Sequence, residues 1–238
     1  MTPHSLHVVR GLARDALHRP VGFDDDFIEW LMLVNPGMQH RGNIHLFDLA
    51  IQSAPEAPFL EIGSFCGLST NIIQYLKRKH GRREPLFTCD KWIFEGSEKP
   101  LPASAGVTRD EIRDYVRESF DRSMRRFCDG DLPFTVEATS DEFFQAWSDH
   151  ASIEDVFGRP VELGGPLGFC FIDGNHQEEF VWRDFSHCDA NLLSGGLILF
   201  DDSTPEAIED ASKVVKDVAR NGRYEVVARN PNWLLRKH

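Results

Sequence analysis

The sequence predicts a doubly wound α/β fold: a mostly parallel seven-stranded sheet with a C-terminal antiparallel hairpin and an N-terminal helical cap. Two patterns carry that expectation. From residue 57 onward, short apolar strands alternate with longer amphipathic segments, which is how βαβ units are written. The last two strand-like segments, 224–228 and 233–235, are joined only by Arg229-Asn230-Pro231-Asn232. That connection is too short for a crossover helix, so the pair must be antiparallel.

The elements follow in order. Residues 25–33 and 44–53 carry helical periodicity and precede the first strand, so they are expected to cover the mouth of the sheet. Strand 59–62 runs into Gly63, and a helix from Leu68 sets Leu68, Ile72, Ile73 and Leu76 on one face before Gly81 stops it. Strand 85–89 ends at Asp90. A Gly/Pro/Ser-rich stretch, 96–106, interrupts the alternation, and Thr108 with Glu111 forms a capping box for a helix to about residue 127. Strand 134–138, a short helix over 141–150 and a loop over 151–166 lead to strand 168–172, which ends at Asp173. A helix over 178–193 precedes Gly195-Gly196, which open strand 197–200 and its terminal Asp201-Asp202. Thr204-Pro205 reads as N-cap and first turn of a helix closing at Asn221-Gly222.

Bulk properties narrow the classes. The 238 residues suffice for one sizeable α/β core. No apolar run approaches the roughly 20 residues that span a bilayer, and the first twenty lack a signal-peptide core, so no membrane association and no export are expected. The net charge of -12 argues against nucleic acid as partner. The one basic cluster (Lys77, Arg78, Lys79, His80, Arg82, Arg83) reads as a solvated helix C-terminus. Five cysteines show no CxxC pairing or zinc spacing. Cys89 and Cys170 read as core, and a reducing cytoplasm fits.

Ligands of open α/β sheets bind beyond the carboxyl ends of the strands. After the first strand stands Glu61-Ile62-Gly63-Ser64-Phe65-Cys66-Gly67-Leu68-Ser69-Thr70, with glycines four apart and an acid two before the first. The dinucleotide fingerprint needs glycine where Phe65 stands. A cofactor without phosphate at this point, such as S-adenosylmethionine through its amino-acid part, is served by a wider loop with polar neighbours. Asp90 is placed to accept from both ribose hydroxyls, a role it suits in either cofactor class, and Ser140 and Asp141 to flank an adenine. The alternative for the glycine loop is a plain tight turn.

Asp173, Asp201 and Asp202 close two adjacent strands, so their carboxylates should crowd and raise one another's pKa unless a cation intervenes. Oxygen ligands suit a hard ion, Mg²⁺ first, with Mn²⁺ or Ca²⁺ next. His176 lies three residues past Asp173. Histidine titrates near neutral pH, and a base beside a hydroxyl held on a cation would take the proton lost during methyl transfer. The bland reading is that these acids only cap the following helices.

EIGSFCGLST, Asp90, FIDGNH and GGLILFDDS resemble the class I S-adenosylmethionine methyltransferases, and within them the metal-dependent antibiotic-sugar O-methyltransferases of the macrocin and mycinamicin type. The resemblance spans about 57–238 and implies a methyltransferase domain there, with 1–56 as the cap. It implies Asp173, Asp201 and Asp202 as Mg²⁺ (or Mn²⁺) ligands and His176 as base. Catechol-type relatives carry lysine at the equivalent offset, so His176 favours a sugar or polyol acceptor. It departs from relatives in its Asp-Asp pair, where they have Glu-Asp, and in the cap and the 91–107 insert, which should form the acceptor pocket. His40, Lys91 and Trp92 are candidates to touch acceptor or cofactor.

The expected cofactor set is Glu61, Gly63, Ser64, Gly67, Ser69, Thr70, Asp90, Lys91, Ser140, Asp141 and Asp173. The expected reaction methylates a hydroxyl of a small glycosylated or polyhydroxylated metabolite. The alternatives are a metal-dependent hydroxylase of the cephalosporin-hydroxylase type, which would want two histidines, and a nicotinamide-dependent dehydrogenase, which would want a Tyr/Lys pair. Oligomeric state is left open, a homo-oligomer being allowed.

Overall fold

The structure, a computed structural model, describes residues 23–93, 109–204 and 210–238. Its main sheet contains β1 (Phe59–Ile62), β2 (Leu86–Cys89), β3 (Phe134–Val136), β6 (Leu167–Ile172), β7 (Leu192–Phe200), β8 (Tyr224–Arg229) and β9 (Trp233–Lys237). A separate pair, β4 (Ser152–Glu154) and β5 (Pro160–Glu162), lies between β3 and β6 in sequence. The seven strands run in the order β3-β2-β1-β6-β7-β9-β8. The first five are parallel, and β9 pairs antiparallel with both β7 and β8. The predicted architecture is the observed one.

Parallel strands are covered on both faces, so nearly all of their residues are apolar. Phe59, Phe169, Phe171, Leu197 and Leu199 face one helical layer: α1 (Asp26–Val34), α2 (Arg41–Ser53) and α3 (Leu68–Lys79). Phe47 of α2 meets Phe171 edge-on with centroids 4.8 Å apart. The N-terminal helices thus lie on a sheet face, while the segment at Gly37, Met38 and Gln39 reaches the mouth. Leu60, Cys89, Cys170, Ile198 and Phe200 face the second layer, with α5 (Ser140–Ser148), α6 (Glu178–Asn191) and α7 (Asp210–Arg220). Helix α4 (Arg109–Phe127) builds a smaller cluster with Cys66 and Trp92 through Val116, Phe120 and Met124. All five cysteines are free and buried.

Several expectations need correction. Residues 151–166, read as a loop, contain the β4–β5 hairpin. Its strands are too short for a period to show, and Asp155 makes the turn by accepting from the Phe157 and Arg159 amides at 3.0 and 2.9 Å. Helix α2 begins three residues before the predicted start, because His40 Nδ1 accepts from the Gly42 amide and caps it. Gly195-Gly196 do not open β7 but lie inside it, where the β6–β7 register slips. The basic cluster is a solvated end only in part: Arg78, Lys79 and Arg83 are exposed, while the rest is held by the protein. Lys77 is 2% exposed and donates to Gln74. Lys79 pairs with Asp25, His80 with Asp48 and Arg82 with Glu84. Thr108, Pro205 and most of the 91–107 insert lie outside the described residues.

Candidate active site

The strand-end acids are set at one level because the ladder continues one residue past each strand. The Asp173 amide donates to the Ile62 carbonyl at 2.9 Å, Asp201 to Ile172 at 3.0 Å and Gly63 to Cys89 at 2.9 Å. Beyond them opens a cleft of about 840 Å³, within the range of small-molecule sites. Of the expected cofactor residues, Gly63, Ser64, Ser69, Asp90, Lys91, Ser140, Asp141 and Asp173 line it, and so do His176, Asp201 and Asp202. Trp92 lines it too.

Glu61, Gly67 and Thr70 are not in its wall. Glu61 is fully buried and its two oxygens accept from the Ser69 and Thr70 hydroxyls, clamping the first turn of α3. Burial outweighs those bonds and pushes its carboxyl up to about 7. Gly67 sits at φ 85 as the N-cap of α3, where a Cβ would lie 2.5 Å from the Met124 methyl. Gly63, at φ 86, has a sharper requirement: a Cβ there would come within 2.1 Å of the Asp173 carbonyl oxygen. Glycine lets the β1 and β6 loops touch.

Asp90 organises the loop itself. Its Oδ2 accepts from the Ser64 and Phe65 amides, both at 2.8 Å, and its Oδ1 from the Trp92 amide at 2.6 Å. Phe65 and Trp92 take positive φ of 45 and 52 to turn those amides inward, local strain of the kind that collects at functional loops. A carboxylate offers about four acceptor sites, so three amides leave room for about one further donor. The expectation that it takes both ribose hydroxyls is thereby reduced. Burial still holds the Asp90 carboxyl above its ordinary value.

The other acids are arranged differently. Asp173 is partly buried, and its carboxyl lies against that of Asp201. Desolvation first, then the Asp201 charge, drives its pKa well above the carboxylate range. Asp201 Oδ1 accepts from Asn43 at 2.6 Å and Asn232 at 2.5 Å, tying α2 and the β8–β9 turn to the end of β7. Asp202, at φ 47, turns toward His176, whose Nδ1 lies 3.4 Å from its Oδ2. Burial and the neighbouring Asp201 also raise Asp202.

Among the described residues no three His, Cys, Asp or Glu side chains stand in a ligating arrangement. Yet two carboxylates in contact need a shared proton or a cation, and the donors here are hard oxygens. The residues fit a divalent ion by chemistry. His40 caps α2 and is absent from the cleft wall. Sequence reasoning missed the wall residues Gln39, Thr139, Arg183 and Asp184, and also Asn43 and Asn232 behind Asp201. Thr139 carried a signal, as the start of a capping box with Glu142, and Asp184 a weaker one, from its place on the apolar face of α6.

A family model described as a methyltransferase domain matches residues 60–203. Among solved structures, the chain is similar to an O-methyltransferase from Bacillus cereus in complex with SAH: 16% identity, 90% of this chain and 92% of that one covered, TM-score 0.51. It is similar to CalS11, a TDP-rhamnose 3'-O-methyltransferase in calicheamicin biosynthesis, at 13% identity, 99% and 95% coverage and TM-score 0.53. It also resembles a putative caffeoyl-CoA O-methyltransferase from Staphylococcus aureus at 11% identity, 88% and 90% coverage and TM-score 0.57. At these identities the likeness establishes the fold. Among the described residues no helix is long and apolar enough to cross a membrane.

Proposed function

Because the chain belongs to the methyltransferase-domain family, we propose that it transfers the methyl group of S-adenosylmethionine to a hydroxyl of a small glycosylated or polyhydroxylated metabolite. Mg²⁺ or Mn²⁺ assists. The observation that carries this reading is the meeting of Asp173 and Asp201 at the strand ends, beside His176 and inside one cleft with the glycine loop. Similarity to structures of a nucleotide-sugar O-methyltransferase and of an O-methyltransferase with SAH supports the substrate class and cofactor.

Asp173, Asp201 and Asp202 would hold the cation, which supplies charge neutralisation and lowers the pKa of the acceptor hydroxyl. Asp202 favours the His176 tautomer with its proton on Nδ1, which leaves Nε2 as acceptor. His176 would take the proton of the acceptor hydroxyl on Nε2, and S-adenosylmethionine would supply the methyl group to that oxygen and leave as the neutral thioether. Ser64 and Ser69, in the cleft wall, would face the amino-acid part, and Asp90 would take one ribose hydroxyl. Asn43 and Asn232 hold Asp201 in place.

Thermal melts with S-adenosylhomocysteine and with NAD test the cofactor, because a ligand that binds only the folded state raises the melting temperature. Stabilisation by the first alone is expected; stabilisation by NAD alone sinks the reading. His176→Ala should lower turnover roughly 10²- to 10⁴-fold with cofactor affinity kept. Unchanged turnover would remove His176 as base.

A further inference from the structure

Among the described residues, three buried polar atoms in the cleft wall have no hydrogen-bond partner: Gln39 Nε2, Ser64 Oγ and Asp184 Oδ1. Asp184 is the most demanding of them, because a buried carboxylate oxygen without a donor is costly. It projects from α6 and is 3% exposed. The Ser140 hydroxyl lies beside its carboxyl and lowers its pKa in part. Its Oδ2 lies 3.2 Å from the point where a Cβ would stand on Gly174, so that glycine leaves the acid room at the cleft.

Among the described residues no nearby cation is free to complete it. Arg183 and His187 both pair with Asp141, at 3.1 and 2.9 Å, and the other titratable neighbours are Asp141 itself and the Cys89 and Cys188 thiols. A neutral donor on a ligand would complete Asp184. In the proposed cofactor pose, the amino-acid part would face the glycine loop, the ribose Asp90 and the methyl His176. The part left to enter between the N-terminal ends of α5 and α6, beside Ser140, is the purine.

We propose that Asp184 is the residue that selects adenine, its Oδ1 accepting a hydrogen bond from the 6-amino group. This rests on the cofactor reading above. A purine with a 6-oxo group would set lone pairs against the carboxylate and be rejected.

Calorimetric titration of the intact protein with S-adenosylhomocysteine and its 6-oxo counterpart, S-inosylhomocysteine, tests it. The wild type should prefer the adenosyl ligand roughly 10- to 100-fold, the value of one hydrogen bond to a charged group. Asp184→Ala should lose most of that preference. Asp184→Asn should narrow it further by donating to the 6-oxo group, and it decides the matter should the alanine variant not fold. A wild type without preference, or variants that keep it, overturns the assignment of Asp184 and leaves the cofactor reading intact. A wild type that binds neither ligand overturns both.

Discussion

Two groups of acids stand at the same end of the same sheet and behave in opposite ways. Glu61 and Asp90, around the glycine loop, are bonded to donors of the protein itself: two hydroxyls for one, three backbone amides for the other. Asp173, Asp201 and Asp202, at the ends of β6 and β7, face each other, and two asparagine amides on one oxygen of Asp201 and the His176 ring beside Asp202 offset only part of this. A strand-end position therefore does not give an acid its task. Its donors do: an acid satisfied from within builds the site, and one left in conflict awaits something from outside.

The largest effect expected from this contrast is on turnover. Asp201→Asn keeps an oxygen to accept from Asn43 and Asn232, so α2 and the β8–β9 turn stay tied, but it removes a charge. If the conflict is there to hold a cation, losing that Coulombic partner costs several kcal/mol in the transition state, or roughly a thousandfold in kcat. Affinity for S-adenosylhomocysteine should be retained. Steady-state kinetics with and without chelator, beside calorimetry, make the measurement. A variant that turns over normally breaks the comparison.

Asp90→Ala tests the other side. It strands the amides of Ser64, Phe65 and Trp92 in a buried loop, each bond to a charged group contributing about 1.5–3 kcal/mol. We expect stability to fall by roughly 3–5 kcal/mol in denaturant titration, given that removing a buried carboxylate offsets part of the loss. Cofactor binding should be lost with the loop. Unchanged stability would mean that the loop holds its shape without Asp90, and the division into building and waiting acids would dissolve.

The sequence shows the framework of this contrast more clearly than the contrast itself. Strands β1, β2, β6 and β7 are legible because each is a short apolar run stopped by glycine or aspartate, and the 229–232 connection forces the terminal hairpin. Side-chain partners are a different matter. Nothing local in DGNH or FDDS tells that Asn43, some 158 positions away, donates to Asp201. Asp90 has the right spacing for a ribose, yet its bonds to backbone amides appear only once the loop takes positive φ. Asp184 sits in a helix where acids usually face water. Only its place between Val181, Phe185 and Cys188, all buried, marked it as internal.

Asp184 gives the smallest effect and a sign that can be fixed in advance. Burial pushes its carboxyl up to about 6 from an ordinary 3.8, Ser140, His187 and Arg183 offsetting only part of this. Below pH 3.8 both folded and unfolded chains hold the proton and the group is neutral in its effect. Between 3.8 and about 6 the folded chain keeps a proton that the unfolded chain has released, so stability falls as pH rises. Above that window the full cost applies, at most about 3 kcal/mol at 1.36 kcal/mol per pKa unit. Asp184→Asn carries no such proton, so its stability relative to wild type should improve from pH 4 to pH 7 by up to that amount, read from paired denaturant titrations. Filling Oδ1 with the adenine amino group stabilises the ionised form, so cofactor binding near pH 6 should release protons from the wild type. Calorimetry in buffers of different ionisation enthalpy would show that release, and the asparagine variant should lack Asp184's contribution to it. A stability gain without a change in proton release would mark Asp184 as a buried cost to the fold with no contact to the ligand.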